Sequence, residues 1–135
     1  MGRSIGVLVT VFLMVVLSAG VALAASPLVV TGTEHAEQIK GTKQDEAIYG
    51  LGGADEITDG LGTDAVYGGK GKDILIGYGG DASTDRFYGG PGDDLIQPGD
   101  VPAIKDYVRC GPGTDTVYAD KADVSTGDCE RVHVR

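Results

Sequence analysis

The sequence is poor in large aromatic side chains, in histidine and in positive charge. Its 135 residues contain no tryptophan, two phenylalanines and two histidines. Eleven lysines and arginines stand against 20 aspartates and glutamates, which gives a formal net charge of −9 at pH 7. This balance argues against a nucleic-acid binder, because binding to phosphates requires positive charge.

Glycine is the residue in excess, with 23 copies among the 135 residues, whereas its usual share is about 7%. An interior glycine costs a helix about 0.8–1 kcal/mol relative to alanine, so the composition argues against a helical bundle. Collagen is excluded because the glycines do not recur at every third position. Either the chain is disordered or its glycines occupy fixed positions, and their spacing decides between the two.

Residues 1–24 have the three parts of a secretory signal peptide. Arg3 is the only charged residue there, residues 5–17 are almost wholly apolar, and residues 22–24 read Ala-Leu-Ala, which suits a signal peptidase. Cleavage after this site predicts a secreted, extracellular mature chain of residues 25–135 without a membrane span. The alternative is an uncleaved anchor, since residues 5–25 are long enough to cross a bilayer.

A repeat organises the mature chain: an acidic residue is followed two positions later by an apolar one. Nine such pairs succeed one another at steps of 9 or 12 residues. The pairs are Glu37/Ile39, Glu46/Ile48, Asp55/Ile57, Asp64/Val66, Asp73/Leu75, Asp85/Phe87, Asp94/Ile96, Asp106/Val108 and Asp115/Val117. Glycines precede the acids at fixed offsets, and residues 68–76 and 89–97 both fit G-G-x-G-x-D-x-U-x, with U a large apolar residue. The register indicates a repeat architecture.

This nonapeptide resembles the hemolysin-type calcium-binding repeat of the repeats-in-toxin (RTX) family over about residues 32–118. The resemblance implies an all-β fold, a parallel β-roll (β-solenoid) whose units each form a calcium-binding turn and a short strand, two units to a coil. It also implies several Ca²⁺ ions held between stacked turns. The residues agree, because aspartates and turn carbonyls are the oxygen ligands that calcium requires.

Alternate turns of such a roll form two columns, one on each side. The first column ends in Glu37, Asp55, Asp73, Asp94 and Asp115, and the second in Glu46, Asp64, Asp85 and Asp106. Both complete nonapeptides fall in the first column, while the second contains two three-residue insertions, in turns 77–85 and 98–106. We therefore expect Asp55, Asp73, Asp94 and Asp115 to line the better calcium ladder. In the second column Asp64, Asp85 and Asp106 are the candidate calcium ligands, of which Asp85 and Asp106 lie in remodelled turns.

Turn carbonyls complete the expected ligand set. The glycines expected to shape these turns are Gly50, Gly53, Gly68, Gly69, Gly71, Gly89, Gly90, Gly92, Gly111 and Gly113. Glycine at these positions permits positive φ and a close approach of backbone to an ion.

The first two units depart from the pattern. His35 and Gln44 replace a glycine, and Glu37 and Glu46 replace aspartate, which puts calcium binding there in doubt. Residues 25–49 are therefore predicted to form a metal-poor N-terminal cap.

The opposite end is predicted to close the roll. Residues 50–118 would hold the calcium-binding repeats and residues 119–135 a C-terminal cap, with Glu130 as the acid of a candidate degenerate tenth unit. Cys110 and Cys129 are an even pair in an exported chain, which predicts a disulfide.

The sequence predicts a binding protein and not an enzyme, because His35 and His133 have no nucleophile at a motif spacing. Tyr49, Tyr67 and Tyr88 occupy the last, outward position of successive second-column strands and are expected to stack. Cross-strand packing explains such a ladder. The functional alternative is a calcium-dependent adhesion or matrix module that binds a polysaccharide or a protein through these tyrosines.

One inward apolar residue per strand makes a thin core, and the negative charge of the chain opposes compaction. We therefore expect the chain to be loose without calcium and to fold on binding it.

Overall fold

The computed structural model describes residues 26–80, 82–99 and 103–135, which form twelve short strands wound into a roll. The predicted signal peptide, residues 1–24, lies outside the described residues. Over the described residues, no helix has the length and apolar character needed to cross a membrane.

The strands alternate between two six-stranded parallel sheets. The odd-numbered sheet contains β1 (Leu28–Thr31), β3 (Glu46–Tyr49), β5 (Ala65–Tyr67), β7 (Arg86–Tyr88), β9 (Tyr107–Arg109) and β11 (Val124–Ser125). The even-numbered sheet contains β2 (Gln38–Lys40), β4 (Glu56–Thr58), β6 (Ile74–Ile76), β8 (Leu95–Gln97), β10 (Thr116–Ala119) and β12 (Arg131–Val134). Each coil thus contributes one strand to each sheet, which confirms the all-β parallel roll.

The core lies between the two sheets and consists of two stacks of apolar side chains, one from each sheet. The middle residue of nearly every strand points inward because successive residues of a strand alternate between its faces. These buried side chains are Val30, Ile39, Ile48, Ile57, Val66, Leu75, Phe87, Ile96, Val108 and Val117. Each stacks on its equivalent one coil away, as Ile57 does on Leu75 and Leu75 on Ile96.

The two three-residue insertions leave the strand register intact. They lie in the turns between β6 and β7 and between β8 and β9, on the same side of the roll. Val66 still pairs with Phe87, and Phe87 with Val108. The strands that flank each insertion stay in register, so the core is continuous.

The roll continues beyond residue 118, where the recognisable sequence repeat ends. Strand β11 pairs with β9, and β12 with β10. Glu130 takes the acid position of the expected degenerate unit, since its Oε2 accepts the N–H of Asp115 at 2.8 Å. Asp123 does the same for Asp106 at 3.0 Å, a unit hidden in the sequence because Ser125 replaces the apolar residue.

A covalent bond ties this last coil to the one before it. Cys110 and Cys129 form a disulfide with their Cα atoms 5.3 Å apart, which confirms the predicted pairing. Cys110 is fully buried in the core, so the bond anchors the chain end to this core.

Candidate metal centre

The aspartates that end the turns are buried and join each coil to the next. Asp73 Oδ1 accepts the N–H of Asp55 at 2.9 Å, and Asp94 Oδ1 accepts the N–H of Asp73 at 2.8 Å. The same contact is made by Asp55, Asp64, Asp85, Asp106 and Asp115. All seven aspartates are at most 5% exposed, so two ladders of carboxylates run inside the turns, one on each side.

The second carboxylate oxygen has no hydrogen-bond partner in most of these residues. The buried, unpartnered Oδ2 atoms belong to Asp55, Asp59, Asp64, Asp73, Asp94 and Asp115. Leaving a buried charged oxygen without a partner costs more than the ordinary 1–3 kcal/mol of a neutral group. Five of these atoms, all except that of Asp59, lie at equivalent positions of their turns, where oxygen ligands are suited to bind a cation.

The first glycine of a turn leaves space for an ion beside that oxygen. A Cβ atom added to Gly68 would lie 2.7 Å from Asp73 Oδ2 and 2.7 Å from the carbonyl oxygen of Gly89 in the next coil. A Cβ atom on Gly89 would lie 2.5 Å from Asp94 Oδ2 and 2.6 Å from the Cys110 carbonyl. Because calcium binds oxygens at about 2.3–2.6 Å, the residues present fit a calcium ion.

Positive φ angles of the turn glycines bring these carbonyl groups together. The second-position glycines Gly69, Gly90 and Gly111 have φ of 101°, 99° and 99°. The fourth-position glycines Gly53, Gly62, Gly71, Gly92 and Gly113 have φ between 107° and 154°. Residues with a side chain rarely adopt φ angles in this range, so the backbone of the turn favours glycine at these positions.

Burial makes the turn aspartates resist ionisation. Loss of hydration raises the pKa of Asp55 to about 6, and those of Asp64 and Asp94 to about 7. Backbone N–H donors oppose the shift, and neighbouring carboxylates add to it. The pKa of Asp106 is likewise about 7, and burial raises the pKa of Asp73 and Asp115. A bound cation would favour the ionised form, so cation binding competes with protons here.

Comparison with known families agrees with this geometry. The family described as RTX calcium-binding nonapeptide repeat matches in four overlapping copies, at residues 31–58, 40–75, 49–83 and 60–96. Over residues 31–96 the chain belongs to the RTX calcium-binding nonapeptide repeat family. No curated protein and no solved structure shows significant similarity to this chain.

The RTX repeats bring together the aspartates that the sequence singled out. Asp55, Asp73, Asp94 and Asp115 form one ladder, each with an unpartnered Oδ2. Asp64, Asp85 and Asp106 form the other, in register despite the remodelled turns. Their assignment as calcium ligands stays a prediction.

Asp59 is a buried acid that the RTX pattern did not single out. It opens the second-column turn 59–64, at the position where most RTX turns of this chain have glycine. Its Oδ1 accepts the N–H groups of Gly60 and Tyr78, each at 2.7 Å, and burial raises its pKa to about 8. The signal in the sequence that could have identified Asp59 was an acid in place of the first glycine of the turn.

The first two RTX turns close in a different way. Glu37 Oε2 accepts the N–H of Thr33 at 2.8 Å, and Glu37 Oε1 accepts the Thr33 hydroxyl at 2.7 Å. Glu46 makes the same contacts with Thr42, by backbone N–H at 2.8 Å and by hydroxyl. A carboxylate that is one methylene longer thus reaches its own turn and satisfies its oxygens there. These two turns therefore have the shape of an RTX turn, but both carboxylate oxygens of their glutamate have hydrogen-bond partners.

The predicted tyrosine ladder lies on the outer face of the odd-numbered sheet. The ring centroids of Tyr49 and Tyr67 are 4.7 Å apart, and those of Tyr67 and Tyr88 are 4.6 Å apart, with the rings within 6° of parallel. Arg109 follows Tyr88 in register. Both faces of Tyr67 are covered by its neighbours, so a sugar ring has no free face there on which to stack.

Proposed function

We propose that this protein is a secreted calcium-binding β-roll whose folding is coupled to extracellular calcium. The observation that supports it most strongly is the series of buried Oδ2 atoms without partners, beside glycines that leave room for an ion. Several ions would be bound, between stacked turns of both columns.

Each aspartate would have two separate tasks. Its Oδ1 holds the backbone of the preceding coil, as Asp73 does for Asp55, while its Oδ2, which has no partner in Asp73, would bind the ion. The bound ion supplies positive charge between carboxylates that otherwise repel one another. Because the ligands come from successive turns, binding would stabilise the stacking of coils and so the folded state.

Export is part of the proposal because two features of the chain support it. The first 24 residues have the pattern of a signal peptide. The Cys110–Cys129 disulfide suits an oxidising compartment. Extracellular calcium modules work at about 10⁻⁴–10⁻³ M, a range in which this roll would be loaded outside the cell.

The role proposed is binding and not catalysis. The carboxylates of both ladders are stacked inside the turns, where an ion fits and a larger substrate does not reach them. An adhesion role through Tyr49, Tyr67 and Tyr88 is the weaker alternative, since their ring faces are used in packing against one another.

Calcium titration calorimetry and circular dichroism test the proposal, with two adjacent aspartates as a matched pair. Asp94 is buried with an unpartnered Oδ2, whereas Asp93 is exposed. We expect several calcium ions per wild-type chain and a β-rich spectrum that depends on calcium. Asp94→Asn should weaken binding by at least about tenfold at its site. Asp93→Asn alters an exposed carboxylate that accepts the N–H of Thr114 and should have a much smaller effect. A wild-type chain that binds no calcium, or a β-rich spectrum that a chelator does not alter, would contradict the proposal.

A further inference from the structure

The second column contains a carboxylate group that the first column lacks. In turn 59–64 the opening residue is Asp59, where the first-column turns 68–73 and 89–94 open with glycine. A Cβ atom at such a glycine faces the Oδ2 of the turn's own aspartate and a carbonyl of the next coil. A side chain at this position therefore enters the cradle that a calcium ion would use.

Three carboxylates meet in that cradle. Oxygens of Asp59, Asp64 and Asp85 lie within 4.8 Å of one another, and this is the one such group among the residues that the structure describes. Two oxygens bound to one calcium ion at about 2.3–2.6 Å each are at most about 5 Å apart, so the spacing suits a shared ion.

Two of the three side chains have a buried oxygen without a partner. Asp59 is 0% exposed and Asp64 1% exposed, and the Oδ2 of each has no hydrogen-bond partner. The Oδ1 atoms are fixed by backbone N–H donors, from Gly60 and Tyr78 to Asp59 and from Glu46 to Asp64. Asp85 is held in the same way through the N–H of Asp64 at 2.8 Å. The side chains are therefore positioned before any ion binds, which favours tight binding.

We propose that Asp59, Asp64 and Asp85 form a three-carboxylate calcium site that is the tightest in the molecule. It has one carboxylate more than a turn that opens with glycine can offer, and the number of charged ligands is a principal determinant of calcium affinity. The proposal rests on the proposed function, because Asp64 and Asp85 also belong to the second ladder. It assigns to Asp59 the role of an additional ligand.

Titration of the whole mature protein with calcium against a chromophoric chelator tests this site. Asp59→Asn keeps the shape and the Oδ1 acceptor while removing the charge, and Asp59→Gly restores the residue found in the other turns. Both variants should weaken the tightest site by at least about tenfold and leave the weaker sites in place. Asp93→Asn is the control, since Asp93 is an exposed acid of the first column. It should keep the tight site.

The outcomes separate this proposal from the proposed function. If Asp59→Asn binds as tightly as wild type while wild type binds several ions, Asp59 is a buried hydrogen-bonded acid, and the proposed function still holds. If wild type binds no calcium, both proposals are wrong. Crystals of the unaltered protein soaked with Tb³⁺ give an answer without any substitution. An anomalous peak between the three carboxylates supports the site, whereas peaks confined to the first column contradict it.

Discussion

The first two turns and the middle turns of this roll reach one shape by different means. In turns 32–37 and 41–46, a glutamate accepts hydrogen bonds from a threonine of its own turn. In turns 68–73 and 89–94, a shorter aspartate holds the preceding coil with one oxygen and leaves the other buried without a partner. Hydrogen bonds within the chain thus satisfy the carboxylate oxygens of the first two turns, whereas a cation would satisfy those of the middle turns.

The difference shows how one methylene group changes the dependence of a turn on metal. Glutamate with threonine at the second position forms a self-contained turn, whereas aspartate with glycine forms an open cradle. Glu46 Oε2 faces Gly41 as Asp73 Oδ2 faces Gly68, but it accepts the N–H of Thr42 and so has a partner within its own turn. The N-terminal coil is therefore expected to stack without calcium and to offer a template for the coils that follow.

The largest effect is expected when a carboxylate in each region is replaced by its amide. Asp73→Asn removes a cradle ligand and should weaken calcium binding at its site by at least about tenfold. Glu46→Gln removes one acceptor of Thr42 and should lower the stability of the fold, with a much smaller effect on calcium affinity. Calcium titration and thermal unfolding of both variants measure this. If Glu46→Gln lowers calcium affinity as much as Asp73→Asn, the two regions do not differ in the way proposed.

The pH dependence of stability should reverse when calcium is added. Burial raises the pKa of Asp55 to about 6 and of Asp64, Asp94 and Asp106 to about 7, above the usual value of about 3.9 in an unfolded chain. Between these values the folded state binds more protons than the unfolded chain, so the free energy of unfolding falls as pH rises. The calcium-free roll should therefore be most stable below about pH 4 and lose stability as the pH rises from about 4 to about 7.

Calcium should have the opposite effect, since it binds the ionised carboxylates. With calcium the roll should stay folded at about pH 7.5 and release the ion as the pH falls through the same range. Thermal unfolding in calcium-free buffer and in saturating calcium, at about pH 4.5 and 7.5, gives the comparison. A calcium-free midpoint that rises with pH would contradict this assignment of buried, protonated aspartates.

Most of the fold was predictable because each unit repeats its own local rule. An acid followed two positions later by an apolar residue placed nine strands and nine inward side chains correctly, from Ile39 to Val117. The step of 9 residues also gave the two columns, since alternate turns must return to the same side. The insertions in turns 77–85 and 98–106 did not disturb this assignment, because they lie wholly outside the strands.

The remainder depended on contacts that a single-residue pattern does not show. Asp123 was missed because its unit has Ser125 in place of the apolar residue. Its carboxylate nevertheless accepts the N–H of Asp106. Asp59 was missed because the pattern treats the first position as glycine. That Glu37 and Glu46 bend back to threonines of their own turns required side-chain geometry.

A smaller effect is expected from the hydroxyl group that closes an N-terminal turn. Thr42→Val keeps the branched shape but removes the hydroxyl that donates to Glu46 and accepts the N–H of Gln44 at 3.3 Å. The loss should be about 1–2 kcal/mol, with or without calcium, because this turn is proposed to act independently of the ion. Chemical denaturation in both conditions measures it. A cost that vanishes in calcium would indicate that the ion also acts on this turn.

The smallest effect is expected at the border between the two regions, at Leu51. Among the described residues, Leu51 is the one non-glycine with positive φ, 77°, and it holds the second position, where Gly69, Gly90 and Gly111 stand in later turns. A left-handed conformation costs an ordinary residue about 1–2 kcal/mol, so Leu51→Gly should relieve strain. The greater flexibility of glycine in the unfolded chain offsets part of this gain. We therefore expect a net stabilisation of about 0.5–1 kcal/mol in saturating calcium, with Leu51→Ala, which keeps a Cβ, giving none. A Leu51→Gly variant less stable than Leu51→Ala would show that the leucine side chain contributes packing that outweighs its backbone strain.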